Sequence, residues 1–262
     1  MRRCAVVTGS ASGIGRATAD LLGSQGWRVI GIDRHSAQIV ADLADPRERA
    51  VAVEAAISAC SGVLHGVVCA AGIGPTRSPA EIVSVNYFGA VAVARGMLGA
   101  LAAGRGEARG PGSGTAAVVV SSNSVGLVSV PEPILDACAQ EDEDLARALA
   151  AELDGPTAYA ASKLALARRV RTAAPQWAKL GVRLNAVAPG PVDTPLLDET
   201  KRDPVLGPLT DALPLPGGRI VAQPAEIAAA IAFLLSDPAS AITGAVLFAD
   251  LGLDAAVRPD HV

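Results

Sequence analysis

Cys4-Ala5-Val6-Val7-Thr8 is a short apolar run, and Gly9-Ser10-Ala11-Ser12-Gly13-Ile14-Gly15 follows it without a break. From Ile14 to Gln25 the apolar residues recur with helical spacing, Gly26 closes the segment, and Trp27 to Ile32 is apolar again. The order is strand, glycine-rich turn, helix, strand. Glycines at such a turn let the backbone approach a pyrophosphate, whose charge sits at the amide-rich start of the helix. A glycine-rich βα turn with no ligand would look alike in isolation, but here the motif lies between a strand and a helix, where the chemistry requires it. Asp33 ends the second strand about 20 residues beyond the glycines, placed to take both hydroxyls of an adenosine ribose. A 2′-phosphate would meet that carboxylate, which favours NAD over NADP. Arg34, beside it, is the residue that could tolerate the phosphate.

The alternation continues outward from this unit. Ile39-Val40-Ala41 reads as a short third strand leading to Asp42-Leu43, and Asp45-Pro46 caps a helix running to Cys60. Leu64 to Ala70 is a buried strand ending at Ala71-Gly72, and a helix from about Ile82 to Ala103 carries Asn86. Residues 104–114, rich in glycine and arginine, form a surface loop. Ala116 to Val120 is a fifth strand delivering Ser121 and Ser122, Val182 to Ala188 a sixth, and Ala245 to Ala249 the last. Strands alternating with helices imply an α/β fold: a doubly wound, parallel, seven-stranded sheet of Rossmann type in a single domain over residues 1–262. Ligands in such sheets sit beyond the carboxyl ends of the strands, so Ser122 shares a side with the glycine turn.

Two segments depart from the alternation. Residues 126–156 read as a helical insertion after the fifth strand: Pro131 to Ala139, an acidic cluster Glu141-Asp142-Glu143-Asp144, then Leu145 to Leu153 with Leu145, Leu149 and Leu153 as an apolar stripe. Residues 195–218 have the prolines and glycines of a mobile loop over a site, and its leucines suit a lipophilic substrate. Ala225 to Leu235 is an amphipathic helix.

Half of the 262 residues are hydrophobic but only 3% are aromatic, so alanine, valine and leucine supply the core. A net charge of −4 gives no support for a nucleic-acid partner or an anionic membrane surface. The first apolar run is too short for a signal-peptide core, and no stretch approaches the roughly 20 apolar residues of a membrane span. Four cysteines, at 4, 60, 69 and 138, show no Cys-x-x-Cys spacing and no histidine cluster, so no metal site is expected and a cytoplasmic location is.

Tyr159-Ala-Ala-Ser-Lys163 carries the chemistry. Four residues apart on a helix, the phenol and the ammonium project from one face. A free phenol keeps its proton to pH of about 10, and a nearby cation favours the phenolate. The pair suits proton exchange with an alcohol or a carbonyl oxygen.

The glycine turn, Asp33, Asn86, Ser122, Tyr159, Lys163 and Pro189-Gly190 fall in one order that resembles the short-chain dehydrogenase/reductase family over nearly the whole chain. The resemblance implies a catalytic set of Asn86, Ser122, Tyr159 and Lys163. It implies an NAD site of Gly9, Ser12, Gly13, Ile14, Gly15, Asp33, Asp42, Leu43, Ala71, Gly72, Tyr159, Lys163, Pro189, Gly190, Val192 and Thr194. Asn86 is either a holder of water in a proton relay or a helix-kink residue bonding backbone; both readings stand, and they are compatible. Cys69-Ala70-Ala71-Gly72 and Asp250-Leu251-Gly252 differ from the family's common Asn-Asn-Ala-Gly and Asp-Gly-Gly. Within the family, Val83-Ser84-Val85-Asn86-Tyr87-Phe88-Gly89, the insertion after Ser122 and Ala255-Ala256-Val257-Arg258-Pro259 resemble the bacterial 3α-hydroxysteroid dehydrogenase/carbonyl reductase group. The expected activity is interconversion of a secondary alcohol and a ketone, steroid-like or otherwise lipophilic. A coniferyl-type aromatic alcohol dehydrogenase is the alternative, and an NAD-sensing regulator without turnover is the alternative of another class. The partner is a small molecule, and the chain is expected to form a homo-oligomer, a dimer if the insertion obstructs the family's common helix–helix interface.

Overall fold

Strands β1 (Cys4–Thr8), β2 (Arg28–Asp33), β3 (Ile39–Val40), β4 (Gly66–Cys69), β5 (Thr115–Val120), β6 (Val182–Pro189) and β7 (Val246–Ala249) form one sheet in the computed structural model. Their order is β3-β2-β1-β4-β5-β6-β7, every pairing is parallel, and the structure describes residues 2–105, 114–211, 219 and 221–260. This is the doubly wound sheet expected from the alternation. Each central strand is buried along its length because helices cover both faces. The two-residue period of β1 divides it between two cores: Val6 joins Ile30 and Val67 on one face, while Ala5 and Val7 join Val68 and Val118 on the other.

Helices α1 (Gly13–Ser24) and α12 (Pro224–Leu235) seal the second face with Leu22, Ile227 and Ile231. The first face is covered by α2 (Pro46–Ala59), α4 (Ala90–Gly96), α5 (Leu98–Arg105) and α9 (Gly155–Lys179). β1 pairs with β2 on one side and β4 on the other, so strand order reverses there and a crevice opens at their carboxyl ends.

Three segments differ from the sequence reading. The helix expected over 82–103 starts earlier, as α3 (Pro79–Val83), and passes through a π-helical segment, Ser84–Gly89, before α4 and α5. Burial of all six π residues, Asn86 among them, explains why an apolar pattern could not reveal the change of pitch. Second, the span read as a mobile loop holds two helices, α10 (Pro195–Arg202) and α11 (Leu206–Asp211). Thr194 caps α10 by accepting from the Leu197 amide, with Pro195 in the first turn, so its proline is a helix start and not a breaker. Residues 212–218 of that span, residues 106–113 of the expected surface loop, and His261 lie outside the described residues.

Third, the insertion comprises α6 (Ser124–Leu127), α7 (Glu132–Ala139) and α8 (Glu143–Ala151), and its buried stripe is Ala146 and Ala150 with Leu149 and Leu153 beside them. Leu145 is 46% exposed and does not belong to it. The insertion packs on its own chain: Arg168 of α9 pairs with Glu132, Glu141 bridges Arg95 and Arg169, and the Tyr87 hydroxyl donates to the Cys138 carbonyl at 2.7 Å. At Asp250-Leu251-Gly252, Leu251 takes a φ of 60°, a conformation that glycine adopts without strain. The Asp250 carboxylate holds the turn by accepting from the Gly252 and Asp254 amides.

No single helix among the described residues is long and apolar enough to cross a membrane. A bent apolar pair, Pro79–Gly96 with Leu98–Arg105, passes the same test together, and its apolar residues are those packed in the core.

Two glycines of α5 give a test of this packing. A Cβ on Gly104 would lie 1.9 Å from the Leu64 carbonyl oxygen, whereas one on Gly99 meets nothing within 4 Å. Gly104→Ala is expected to lower unfolding free energy by about 2 kcal/mol or more through overpacking. Gly99→Ala should leave it unchanged or raise it by up to about 1 kcal/mol through helix propensity. Urea unfolding of the two variants checks the contrast.

Candidate active site

The turn after β1 is built by close approach of backbone to backbone. Gly9 and Gly13 have φ of 69° and 52°. A Cβ on Gly9 would come within 2.8 Å of the Ala71 amide nitrogen, and one on Gly15 within 2.1 Å of the Gly9 carbonyl oxygen. The Gly9 amide donates to Ile32 O at 2.9 Å, and Thr8 Oγ1 accepts from the Ala71 amide at 3.0 Å, so the ends of β1, β2 and β4 are cross-tied. Ser12 precedes α1 without making a side-chain cap, leaving the first-turn amides available to an anion.

A cleft follows this turn. Of the residues expected at a dinucleotide, Gly9, Ser12, Gly13, Ile14, Gly15, Asp33, Asp42, Leu43, Ala71, Gly72 and Thr194 line it. Pro189, Gly190, Val192, Tyr159 and Lys163 do not line this cleft; Gly190 lies against Asp250, where a Cβ would be 3.0 Å from its Cα. Arg34, Ala41, Ala70, Ile73, Val85, Pro195 and Leu196 line it in addition. Leu196, one of the leucines after Thr194 expected to make a low-polarity pocket, lines this cleft and lies against Gly74. Asp33 Oδ2 accepts from the Ala11 amide at 2.9 Å, so the carboxylate at the end of β2 also braces the glycine turn.

Ser122, Tyr159 and Lys163 come together beside the carboxyl end of β5. Ser122 is near enough to the Tyr159 phenol to favour its ionised form, its Oγ accepting from the Ser124 amide at 3.2 Å, and Lys163 Nζ lies 5.7 Å from the phenol ring centroid. Lys163 is 4% exposed, and its ammonium donates to Val120 O at 2.9 Å. Two serines to which the sequence assigned no role, Ser121 at the strand end and Ser162 within α9, bond the backbone at the reacting pair. Ser121 Oγ donates to Lys163 O at 2.9 Å, and Ser162 Oγ donates to Tyr159 O at 2.7 Å. Their signal was position: each is adjacent to a residue that was read.

Asn86 is fully buried and bonds backbone. Its Oδ1 accepts from the Ile73 amide at 2.8 Å, while Nδ2 donates to Ile73 O at 3.1 Å and to Ser162 Oγ at 3.3 Å. It thus pins the loop after β4 to α9 through the π segment. Lys163 Nζ and Asn86 Oδ1 converge on Gly72, where an added Cβ would be 3.4 and 3.2 Å from them.

Burial sets the electrostatics here. Desolvation raises the Tyr159 phenol above its ordinary value, and Ser122 acts against it. Desolvation alone brings Lys163 down to about 8. The proximity argument from sequence expected the ammonium to lower the phenol; in the structure burial raises it.

Comparison with known proteins accords with this geometry. Residues 3–132 match the family described as short chain dehydrogenase, and residues 146–254 the one described as enoyl-(acyl carrier protein) reductase. The chain is 40% identical to the 3-alpha-hydroxysteroid dehydrogenase/carbonyl reductase of Comamonas testosteroni, over 97% of each chain. It is 32% identical to the cis-4-hydroxycyclohexanecarboxylate dehydrogenase of Sinomonas cyclohexanicum, again over 97% of each. The crystal structure of the 3-alpha-hydroxysteroid dehydrogenase from Pseudomonas sp. B-0831 complexed with NADH superposes with a TM-score of 0.92 at 44% identity, covering 99% of this chain and 100% of that one. The chain belongs to the short-chain dehydrogenase/reductase family. It is an oxidoreductase acting between alcohols and carbonyl compounds.

The depressed Lys163 has a measurable consequence. Between pH of about 8 and the ordinary lysine value of 10.5 the unfolded chain holds a proton that the folded one has lost. Stability contributed by this residue therefore rises with pH across that window, by about 3 kcal/mol in total, and its cost is full below it. Lys163→Met should remove the rise; parallel urea titrations of both proteins from pH 7 to about 10.5 check it, and superimposable pH profiles would refute it.

Proposed function

We propose that the protein is an NAD(H)-dependent dehydrogenase of lipophilic secondary alcohols and the corresponding ketones, with 3α-hydroxysteroids as the leading substrate class. The convergence of Ser122, Tyr159 and a buried Lys163 at the carboxyl end of β5 carries the reading: Lys163 Nζ lies 5.7 Å from the phenol ring centroid and donates to Val120 O at 2.9 Å. The likeness to the Comamonas enzyme and to the NADH-bound Pseudomonas enzyme supports the cofactor and the substrate class.

The residues present fit a dinucleotide. Uncapped amides at the start of α1 receive the pyrophosphate, and the carboxylate of Asp33 receives the adenosine ribose hydroxyls. Leu43 and Val85 offer apolar surface to the adenine, and Asp42, Ala71 and Gly72 line the same cleft. Pro189, Gly190, Val192 and Thr194 at the end of β6 serve the nicotinamide side. When bound, the nicotinamide supplies the hydride donor or acceptor.

The chain's own groups manage the proton. Tyr159 exchanges it with the substrate oxygen, gaining by its position a factor of about 10²–10⁴. Ser122 gives a preorganised hydrogen bond to the same oxygen as its charge changes. Lys163 supplies positive charge next to the phenol and reaches the nicotinamide ribose. Asn86, with its amide committed to Ile73 and Ser162, acts as a positioning residue holding α9 to the cleft. Leucines on α10 and α11 provide the apolar cover that a steroid ring or another lipophilic ketone requires.

The insertion is tied to α4 and α9 through the Arg95–Glu141–Arg169 bridge, which supports a reading in which it obstructs the helix face that family members commonly use to assemble. Assembly then falls to α12 and β7, where Phe233 and Leu247 are exposed, and gives a homodimer. Four free, buried cysteines support a reducing, cytoplasmic setting.

Tyr159→Phe is expected to lower kcat by at least about 100-fold while NADH still binds, because only the exchangeable proton is lost. Steady-state rates with a ketone panel and NADH fluorescence titration measure the two effects. Catalytic efficiency should favour NAD over NADP, and Asp33→Ala should shrink that ratio. Equal or better efficiency with NADP would overturn the cofactor assignment. Light scattering should give a dimer; a tetramer built through α9 would contradict the assembly.

A further inference from the structure

Helix α8 touches the cleft through one buried arginine. Arg49 of α2 is 4% exposed and shares the inward face of that helix with Ala52 and Ala56. Every nitrogen of its guanidinium is engaged. Nε donates to Leu43 O at 2.6 Å, and Nη1 to Glu143 Oε2 at 2.6 Å. Nη2 donates to Glu143 Oε1 at 2.8 Å, Ser84 O at 2.9 Å and Ala44 O at 3.1 Å.

These carbonyls belong to two walls of one cleft. Leu43 and Ala44 lie on the segment leaving β3, of which Ala41, Asp42 and Leu43 line the cleft. Ser84 opens the π segment, whose Val85 lines it from the other side. The walls touch at Gly89, where an added Cβ would be 3.1 Å from both Leu43 Cβ and Leu43 O. Arg147, also of α8, donates to Ser84 Oγ, so one helix grips both walls.

We propose that Glu143 and Arg49 are a positioning pair for the dinucleotide, setting the spacing between Leu43 and Val85 that receives its adenine half. This rests on the dinucleotide reading above. A guanidinium is tolerated in this interior because a carboxylate meets it in bidentate geometry. Without that partner the buried charge turns toward water, and the carbonyls of Leu43, Ala44 and Ser84 lose their common donor. The insertion is therefore part of the cofactor site as well as a cover for α4 and α9. Nothing in the pair touches the groups that handle the proton, so the chemical step is spared.

The test uses the full-length protein and three probes: NADH, AMP and nicotinamide mononucleotide. Glu143→Gln, which keeps the shape and loses the charge, should raise the Kd of NADH and of AMP by about tenfold. The Kd of nicotinamide mononucleotide and kcat at saturating NAD should stay within about twofold of wild type. An unchanged Kd for NADH and AMP, or a fall in kcat with all three probes weakened equally, overturns the pair while leaving the dinucleotide site intact. Failure of the unsubstituted protein to bind NADH or AMP overturns both readings. Should Glu143→Gln not fold, Arg147→Met removes only the tether to Ser84: a selective loss of AMP and NADH affinity supports the proposal, and no loss overturns it.

Discussion

Where the Gly9 carbonyl passes Gly15 there is room for a hydrogen atom and nothing larger, since a Cβ on Gly15 would stand 2.1 Å from that oxygen. The constraint sets how closely the start of α1 approaches the end of β1. That closeness lets Thr8 Oγ1 reach the Ala71 amide and Asp33 reach the Ala11 amide, so three strand ends are tied into one rim. The switch in strand order falls at this rim, and the cleft is its consequence. A side chain at Gly15 would push the helix out and loosen every tie at once.

Opposite the rim, α9 is held by hydrogen bonds to its own carbonyls. Ser121 takes that of Lys163 from outside the helix, while Asn86 joins Ser162, whose hydroxyl donates back to Tyr159 O within α9, to Ile73. Tyr159 and Lys163 therefore stand on a helix whose placement is set by the bonds to Ser121 and Asn86. Rigid support of this kind keeps a proton donor within the narrow range of positions that general acid–base chemistry tolerates. Burial has a second effect, in that the same packing that fixes Lys163 also depresses its affinity for a proton.

How far the sequence revealed this depended on the kind of signal. The sheet was legible because strand and helix periods alternate, and the glycine turn because its residues are required by contact and not by burial. Asn86 was legible as a residue, yet its pitch was hidden: a π segment buried at all six positions has no polar face to mark it. α10 is hidden by composition, because the prolines and glycines of its span suggest a loop, although a threonine before a proline also starts helices. Leu145 was grouped with Leu149 by spacing, whereas the buried face turns on Ala146 and Ala150, small residues that let α8 lie close. Arg49 had a signal that went unread: it shares a helix face with Ala52 and Ala56, where an exposed charge would not belong.

The guanidinium of Arg49 joins points at residues 43, 44, 84 and 143, so part of the cleft wall is closed by a contact spanning 94 residues of chain. On a ribosome the first strands and the glycine turn emerge long before Glu143 does. Until then the nascent amino-terminal half carries a buried-type cation without its counter-ion, and the wall at Leu43 has no fixed partner. Long-range closure of this sort slows folding and leaves the early intermediate exposed. The ligand cleft thus belongs to the whole chain: it matures late in synthesis, and an amino-terminal fragment ending before the insertion would have the phosphate turn without a finished pocket around it.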